Sequence, residues 1–290
     1  MQSDAPGPFY IARDDPRYPA RLLEIAGAPS GLWAVGRIEL LQAPAIAVVG
    51  SRNCSFHGRE DAELFARCFA RAGFCVVSGL ALGVDAAAHQ GALAENGSSI
   101  AVLGTGIDLD YPKGNKALAQ ALRTHGCVIT EFDPGTPPRG ANFPQRNRII
   151  SGMSLGVIVV EASDRSGALI TARHAMEQGR EVFAVPGSIF ARGSEGTHRL
   201  IQYGAKLVHD VNDVLDELPS YARIAREQPP LPDSPLREVL ETLSRDEATH
   251  VESAAAKLGR PLPSISESLL QLELGGWVRA LPGGRYVRVR

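Results

Sequence analysis

Residues Pro44–Gly58 read PAIAVVGSRNCSFHG, and the fold turns on them. Ile46–Val49 is a short apolar run rich in β-branched residues, the pattern of a strand buried on both faces. Gly50-Ser51-Arg52 breaks the run, and a helical pattern starts near His57. A buried strand that turns on glycine into a helix puts backbone N–H groups at the carboxyl edge of a sheet. There the N–H groups and the helix dipole both favour an anion. Arg52 adds a planar, permanently charged fork beside them. A plain βα turn with a surface arginine reads the same way, so the stretch alone leaves both readings open.

Working outward, the alternation continues. A helix over Asp61–Ala72 stops at Gly73, and Phe74–Val77 is a second strand ending in Ser78-Gly79. Val84–Ala94 is an alanine-rich helix, and Ser99–Leu103 a strand ending in Gly104-Thr105-Gly106. A helix over Asn115–Arg123, a strand over Cys127–Glu131, a long loop Phe132–Phe143 and a short helix near Gln145–Ser151 follow. Strands at Leu155–Val160, Glu181–Val185 and Lys206–Val208 alternate with helices at Ala168–Gln178 and near His198–Tyr203. Such alternation predicts an α/β domain: a mainly parallel sheet with helices on both faces, its ligands beyond the carboxyl ends of the strands.

The expected division is a leader over 1–44 packed on the main domain, the α/β domain over 45–218, a linker over 219–234 and a small domain over 235–290. The leader has a disordered start at Met1–Pro8 and a short strand at Leu32–Gly36. The linker rests on the proline-rich YARIAREQPPLPDSP, Tyr221–Pro235. Helical patterns at Pro235–Leu243, Val251–Leu258 and Ser264–Leu274 precede two short strands around Gly283-Gly284. That order is a winged helix. Ser264 is placed to cap its third helix. That helix carries Glu267 and Glu273 and few bases, and winged helices also bind proteins, so DNA binding by it is not the preferred reading.

At 290 residues the chain can hold about two domains. Its 44% hydrophobic and 21% charged content is ordinary for a soluble globular protein. A net charge of −2 argues against a globally basic nucleic-acid binder and leaves room for a local basic cleft. Cys54, Cys68, Cys75 and Cys127 have no CxxC spacing and read as buried reduced thiols of a cytoplasmic protein. No signal peptide or membrane-length apolar run is visible, so no membrane partner is expected.

Several loops crowd the predicted carboxyl edge. Their bases are Lys113, Lys116, Arg139, Arg146, Arg148, Arg165, Arg192 and His198, beside Arg52. They alternate with glycines, serines and the aromatic Phe143. Bases for phosphates, small residues for close approach and an aromatic for stacking suit single-stranded nucleic acid. Phe143 reads equally as a loop anchor packed on the sheet. The turn GSRNCSFHG is not GxGxxG, and the second strand ends in Ser78 rather than an acid for a ribose. No P-loop, HExxH or Cys/His cluster is present, so no cofactor or metal is expected. Ser78, Asp85 and His89 form a triad only on paper. Ser78 lacks the GxSxG elbow, and Asp85 more simply braces the loop with His89 hydrogen-bonded to it.

At these residues the chain resembles the DNA-processing protein A (DprA/Smf) family. The matching stretches are AIAVVGSR at Ala45–Arg52, SGLALGVDAAAHQGAL at Ser78–Leu93 and IAVLGTGIDLDYPKGN at Ile100–Asn115. FPQRNRIISGMS at Phe143–Ser154, SGALITARHAMEQGREVFAVPGS at Ser166–Ser188 and LIQYGAKLV at Leu200–Val208 continue the match. The resemblance implies an extended Rossmann-like domain that binds single-stranded DNA, forms a homodimer and helps load a RecA-type recombinase during natural transformation. It maps the DNA-binding pocket onto Arg52, Phe143, Arg146, Asn147 and Arg148, at the Gly50-Ser51 turn, with Ser166, Gly167 and Thr171 as small residues meeting phosphates.

The chain departs from the family pattern at three places. Leu82 stands where the family's SGLARGID has an arginine, and His198 where an asparagine is common. Too little chain precedes Ala45 for the helical domain that many members carry. The runner-up is an enzyme related to the LOG-type phosphoribohydrolases, whose PGGxGTxxE signature is broken here: Gly196-Thr197 lies far from Pro186-Gly187-Ser188, and Leu200 stands where the acid is needed. The resemblance therefore implies a DNA-binding protein that is not an enzyme. A purely structural or partner-binding module is the third class.

Overall fold

The computed structural model describes residues 7–95, 97–218, 234–244, 247–274 and 277–288. The chain divides into two compact units, Met1–Arg226 and Glu227–Arg290. The linker expected over 219–234 lies outside the described residues except at its last position, as does most of the disordered start expected at Met1–Pro8.

The first unit is built on nine strands: β1 (Phe9–Ala12), β2 (Gly31–Gly36), β3 (Ala45–Val49), β4 (Cys75–Ser78), β5 (Ser99–Val102), β6 (Cys127–Thr130), β7 (Gly156–Val159), β8 (Glu181–Ala184) and β9 (Lys206–Leu207). Among the described residues eight α-helices connect or flank them: α1 (Ala20–Leu23), α2 (Phe56–Arg71), α3 (Val84–Glu95), α4 (Lys116–His125), α5 (Asn142–Met153), α6 (Ala168–Glu177), α7 (Glu195–Gln202) and α8 (Val211–Leu215). The sheet order is β1-β2-β6-β5-β4-β3-β7-β8-β9. All neighbours from β6 to β9 are parallel, and β1–β2 and β2–β6 are antiparallel. From β3 the chain steps outward through β4, β5 and β6, then returns to β3's other side for β7, β8 and β9. β3 and β7 therefore flank the topological switch point.

β3 reads as it does because both its faces are covered. Ala45, Ala47 and Val49 belong to the core under α5 and α6, and Ile46 and Val48 to the core under α2 and α3. α2 starts on Ser55, whose hydroxyl accepts from the Gly58 amide at 3.0 Å. It buries Ala62, Phe65, Ala66 and Phe69, one apolar stripe at helical spacing. α3 presents Ala87, Ala88, Gly91 and Ala92, all small. A side chain at Gly91 would run into the backbone of α2 at Glu63, so composition sets how closely the two helices approach.

Residues 9–36 differ from the expected leader: β1 and β2 add an antiparallel edge to the sheet itself. α5 begins at Asn142 and absorbs Phe143, which was expected in a loop. Of the four free cysteines only Cys75 and Cys127 are buried; Cys54 and Cys68 are half-exposed, contrary to the expectation of four buried thiols.

The second unit holds α9 (Ser234–Glu241), β10 (Thr249–His250), α10 (Val251–Leu258), α11 (Leu262–Leu274), β11 (Val278–Leu281) and β12 (Arg285–Arg288). Its sheet runs β10-β12-β11, antiparallel throughout. Gly283 and Gly284, both left-handed at φ 81° and 68°, turn β11 into β12. Val239, Leu240, Ala254, Ile265, Leu269, Leu272 and Val278 close a separate core. α11 starts at Leu262, so Ser264 lies inside the helix and does not cap it. Glu273 accepts the Ala280 amide at 3.1 Å, tying that helix to the wing.

Candidate nucleic-acid interface

A cavity of about 580 Å³ opens at the switch point, beyond the carboxyl ends of β3 and β7. The turn after β3, the loop after β4, the first turns of α5 and the loop after β7 enclose it. Gly50, Ser51, Arg52, Phe143, Arg146, Asn147, Ser166, Gly167 and Thr171 all line it, together with Asn53, Ala81, Asp85 and Arg165. Arg148 does not. It lies two residues past Arg146, more than half a turn round α5. Its Nη2 donates to Glu131 Oε2 at 2.5 Å, and the pair is largely buried, with side chains 19% and 10% exposed. Arg148 is thus a structural cation and not a member of the cleft.

Arg146 is 4% exposed and sits in the cleft floor. Its Nη1 donates to the carbonyl of Gly79, at 2.8 Å, and to that of Val102. Asp85 lies beside it and accepts from the amides of Gly79, at 3.1 Å, and Ala81, at 3.3 Å. A Cβ on Gly79 would come within 2.5 Å of Arg146 Nη2 and 2.8 Å of Asp85 Oδ2, so both charges meet over bare backbone. Burial pulls Arg146 down to about 10, against the Asp85 charge that raises it. Burial pushes the Asp85 carboxyl up, and the Arg146 charge opposes it. Arg146 stays cationic near neutrality. With Asp85 offsetting it, the net positive charge of the cleft falls to Arg52 and Arg165, both exposed and without an acidic partner among the described residues.

The loop after β4 is braced as well as charged. Leu80 is held at φ 57°, an uncommon conformation for a non-glycine residue. Asn115 Nδ2 donates to the carbonyls of Leu80, at 3.0 Å, and Ala81, at 3.1 Å, which secures it. Asp85 therefore braces this loop as the sequence implied. His89 does not join it: its Nδ1 meets Ser99 Oγ at 2.7 Å. Ser78 Oγ donates to the Val48 carbonyl at 2.7 Å, so no triad forms. His89 is fully buried, its Nε2 has no partner, and burial, with the Arg146 charge, pushes it down to about 3.

Phe143 is half-buried against Gly104, where a side chain would clash with the ring. The Arg52 guanidinium carbon lies 5.5 Å from its centroid. Tyr111 stacks on it at 5.5 Å and 29°. Tyr111 was not foreseen, although it stands in the loop GTGIDLDYP that faces this edge. Asn147 Nδ2 donates to the Gly167 carbonyl at 3.3 Å and Ser166 Oγ accepts from the Ala168 amide at 3.3 Å, which fixes the opposite wall. Thr171 lines the cavity too and is almost fully buried.

The expected anion site at the α2 N-terminus is filled from within. The Ser55 amide donates to Glu161 Oε2 at 2.9 Å, and the Ser55 hydroxyl donates to Glu161 Oε1. The Ser51 amide donates to the Glu161 carbonyl at 2.7 Å. A Cβ on Gly58 would come within 2.5 Å of the Glu161 carboxyl carbon, so a side chain there would push the carboxylate off the helix. The Ser55 amide and hydroxyl are thus spent on the chain's own carboxylate and the Ser51 amide on a backbone carbonyl, which leaves arginine side chains as the cleft's main charge for a ligand. Of the remaining bases, Lys116 faces Asp110 at 3.4 Å and His198 Nε2 meets the Gly187 carbonyl at 3.0 Å. Among the described residues no cluster of His, Cys, Asp and Glu could hold a metal ion, and no helix is long and apolar enough to cross a membrane.

The model of the DNA recombination-mediator protein A family matches residues 9–219, and that of the DprA winged helix domain matches residues 224–284. Protein Smf of Escherichia coli K12 is 43% identical over 297 residues, covering 99% of this chain and 79% of that protein. DNA processing protein DprA of Streptococcus pneumoniae is 50% identical over 210 residues, 72% of this chain and 74% of that protein. The X-ray structure of the Streptococcus pneumoniae protein superposes with a TM-score of 0.70 at 47% identity, over 74% of this chain and 75% of that one. The Helicobacter pylori DNA processing protein A, described for its single-stranded DNA binding mode, superposes with a TM-score of 0.66 at 27% identity, over 73% and 96% of the two chains.

Proposed function

The chain belongs to the DNA recombination-mediator protein A family, and from that premise we propose that its cleft binds single-stranded DNA with little sequence preference. The observation that carries this reading is Arg52, exposed at the cleft mouth, unpaired with any described acid and lying over the Phe143 ring. A charged fork on an aromatic serves phosphate and base together. Arg165 supplies a second free charge, and Gly50, Ser51, Ser166 and Gly167 let a backbone come close. Arg146 and Asn147 hold the floor and wall in place. In this reading the protein delivers the bound strand to a RecA-type recombinase during DNA uptake, acts in the cytoplasm as a homodimer and turns over no nucleotide. The phosphoribohydrolase alternative is not favoured: the Streptococcus pneumoniae and Bacillus subtilis relatives are named DNA processing proteins, and Leu200 replaces the acid its signature needs.

Fluorescence anisotropy on single-stranded and duplex DNA over a salt series tests the central claim. Arg52→Ala is expected to weaken single-strand binding and to lower the salt slope by about one counterion. Equal binding by parent and variant at every salt concentration would remove the cleft from the reading. Release of free base from AMP in proportion to protein, abolished by a single change in the cleft, would overturn the non-enzymatic part.

A further inference from the structure

We propose that the tip of the loop between β8 and α7 is a second contact for the same strand, with Ile189 and Phe190 receiving a base that has left the cleft. This rests on the single-strand reading above. Ile189 is 80% exposed and Phe190 91%, the two most exposed large hydrophobics among the described residues. They do not sit on a slack loop. The Ala191 amide donates to the Ser188 carbonyl at 3.0 Å, and the Phe190 amide to Ser188 Oγ at 3.3 Å. His198 ties the loop base to α7 through Gly187, and the Ser194 amide closes the far side on the Ala191 carbonyl at 2.9 Å. A hydrogen-bonded turn thus holds two apolar side chains out in water.

The tip is continuous with the cleft wall. The Ala162 amide donates to the Gly193 carbonyl and the Gly196 amide to the Ala162 carbonyl, both at 2.7 Å. Ala162 directly precedes Ser163, which lines the cleft. β8 is the strand beside β7, about 5 Å away. The cleft itself, at about 580 Å³, is the size of a small-molecule pocket and takes roughly one or two nucleotides. A longer strand has to leave it, and this side offers charge. Arg165 and Arg192 are exposed and without a described acidic partner, whereas Asp164 is held by Arg199 at 2.9 Å and Glu161 by Ser55. Two exposed apolar side chains in a loop that also carries the exposed Arg192 suit a nucleotide, whose base has an apolar face and whose phosphate is anionic. A protein partner would call for a broader apolar patch.

The test compares the full chain with Phe190→Ala and with Ile189→Ser/Phe190→Ser, on an oligothymidylate of about four nucleotides and one of about twenty, within the range of single-strand site sizes. Phe190→Ala is expected to weaken the long oligomer roughly five- to a hundredfold and leave the short one unchanged. Phe190→Trp is expected to restore the parent's affinity. Unchanged binding of the long oligomer by the double variant overturns the proposal. So does equal weakening of both lengths, which would put the effect in the cleft. A shift of the double variant to a smaller sedimenting species with DNA binding intact also overturns it and makes the tip a contact between copies of this chain. A parent that binds neither length overturns the single-strand reading itself, a result distinct from all of these.

Discussion

Arg52 and Arg146 share one cleft and are expected to fail in different ways when removed. Arg146→Ala leaves Asp85 buried without its counter-charge and strips the carbonyls of Gly79 and Val102 of their donor. Leaving those two buried acceptors without their donor costs about 1–3 kcal/mol each, and denaturant unfolding of the variant is expected to show it. Arg52 touches no described acid, so Arg52→Ala is expected to stay within about 0.5 kcal/mol of the parent while binding weakens. Equal stability of Arg146→Ala and the parent would mean that the floor is not braced this way. His89 adds a pH dependence. Its buried imidazole is held down to about 3, whereas the unfolded side chain titrates near 6.5. Above about 6.5 neither state takes the proton; below it only the unfolded chain does. Stability is therefore full above that pH and is lost as pH falls toward the folded value, at about 1.4 kcal/mol per unit. Parent and His89→Gln unfolded by denaturant at neutral and mildly acid pH are expected to differ in this slope, and parallel slopes would refute the assignment. Other carboxylates, Asp85 among them, cancel in that difference.

The elements that the sequence shows clearly are those buried on both faces. β3, β4, β5, β6 and β7 are short apolar runs, most with a glycine at one end or both, and each was legible because both faces need apolar residues. β1 was not legible, and β2 was legible only as a short strand at Leu32–Gly36, without its place in the sheet. FYIA is too short to show a period, and β2 pairs antiparallel with β6, about a hundred residues later. α8, five residues long, has no stripe to read. The site divides the same way. The RNR run of α5 looks like one basic cluster, but helical rotation sends Arg146 to the cleft and Arg148 to Glu131. The glycine turn after β3 was legible as an anion site in kind, and the anion is the chain's own Glu161. Its partnership with Ser55 spans 106 residues, and nothing local announces it. This yields an element-scale prediction. Glu161→Ala frees the α2 N-terminus, so sulfate or phosphate is expected to raise the variant's Tm more than the parent's. The loss of cap charge without added anion is expected to cost about 1 kcal/mol. An identical anion response in both proteins would show that the carboxylate does not occupy that site.

At the scale of the whole molecule, the two units differ in what they need from each other. The first holds a complete nine-stranded sheet, and every residue lining the cleft precedes Val208. The second closes its own core on Val239, Leu240, Ile265, Leu269 and Leu272. Separate family models cover 9–219 and 224–284, which marks each as a recurring unit. Removing 227–290 is therefore expected to leave a folded protein that keeps its single-strand affinity and its salt slope, because the free charges Arg52 and Arg165 remain. Winged helices can place a helix in the major groove. α11, however, exposes Glu267 and uses Glu273 to bind its own wing, so little duplex affinity is expected to be lost with it. Truncated and full chains titrated with both forms of DNA separate the outcomes. A large loss on duplex alone would make the winged helix a DNA reader despite its acids. Loss of single-strand binding by a truncated chain whose circular dichroism shows it folded would move the primary site out of the cleft and into the second unit.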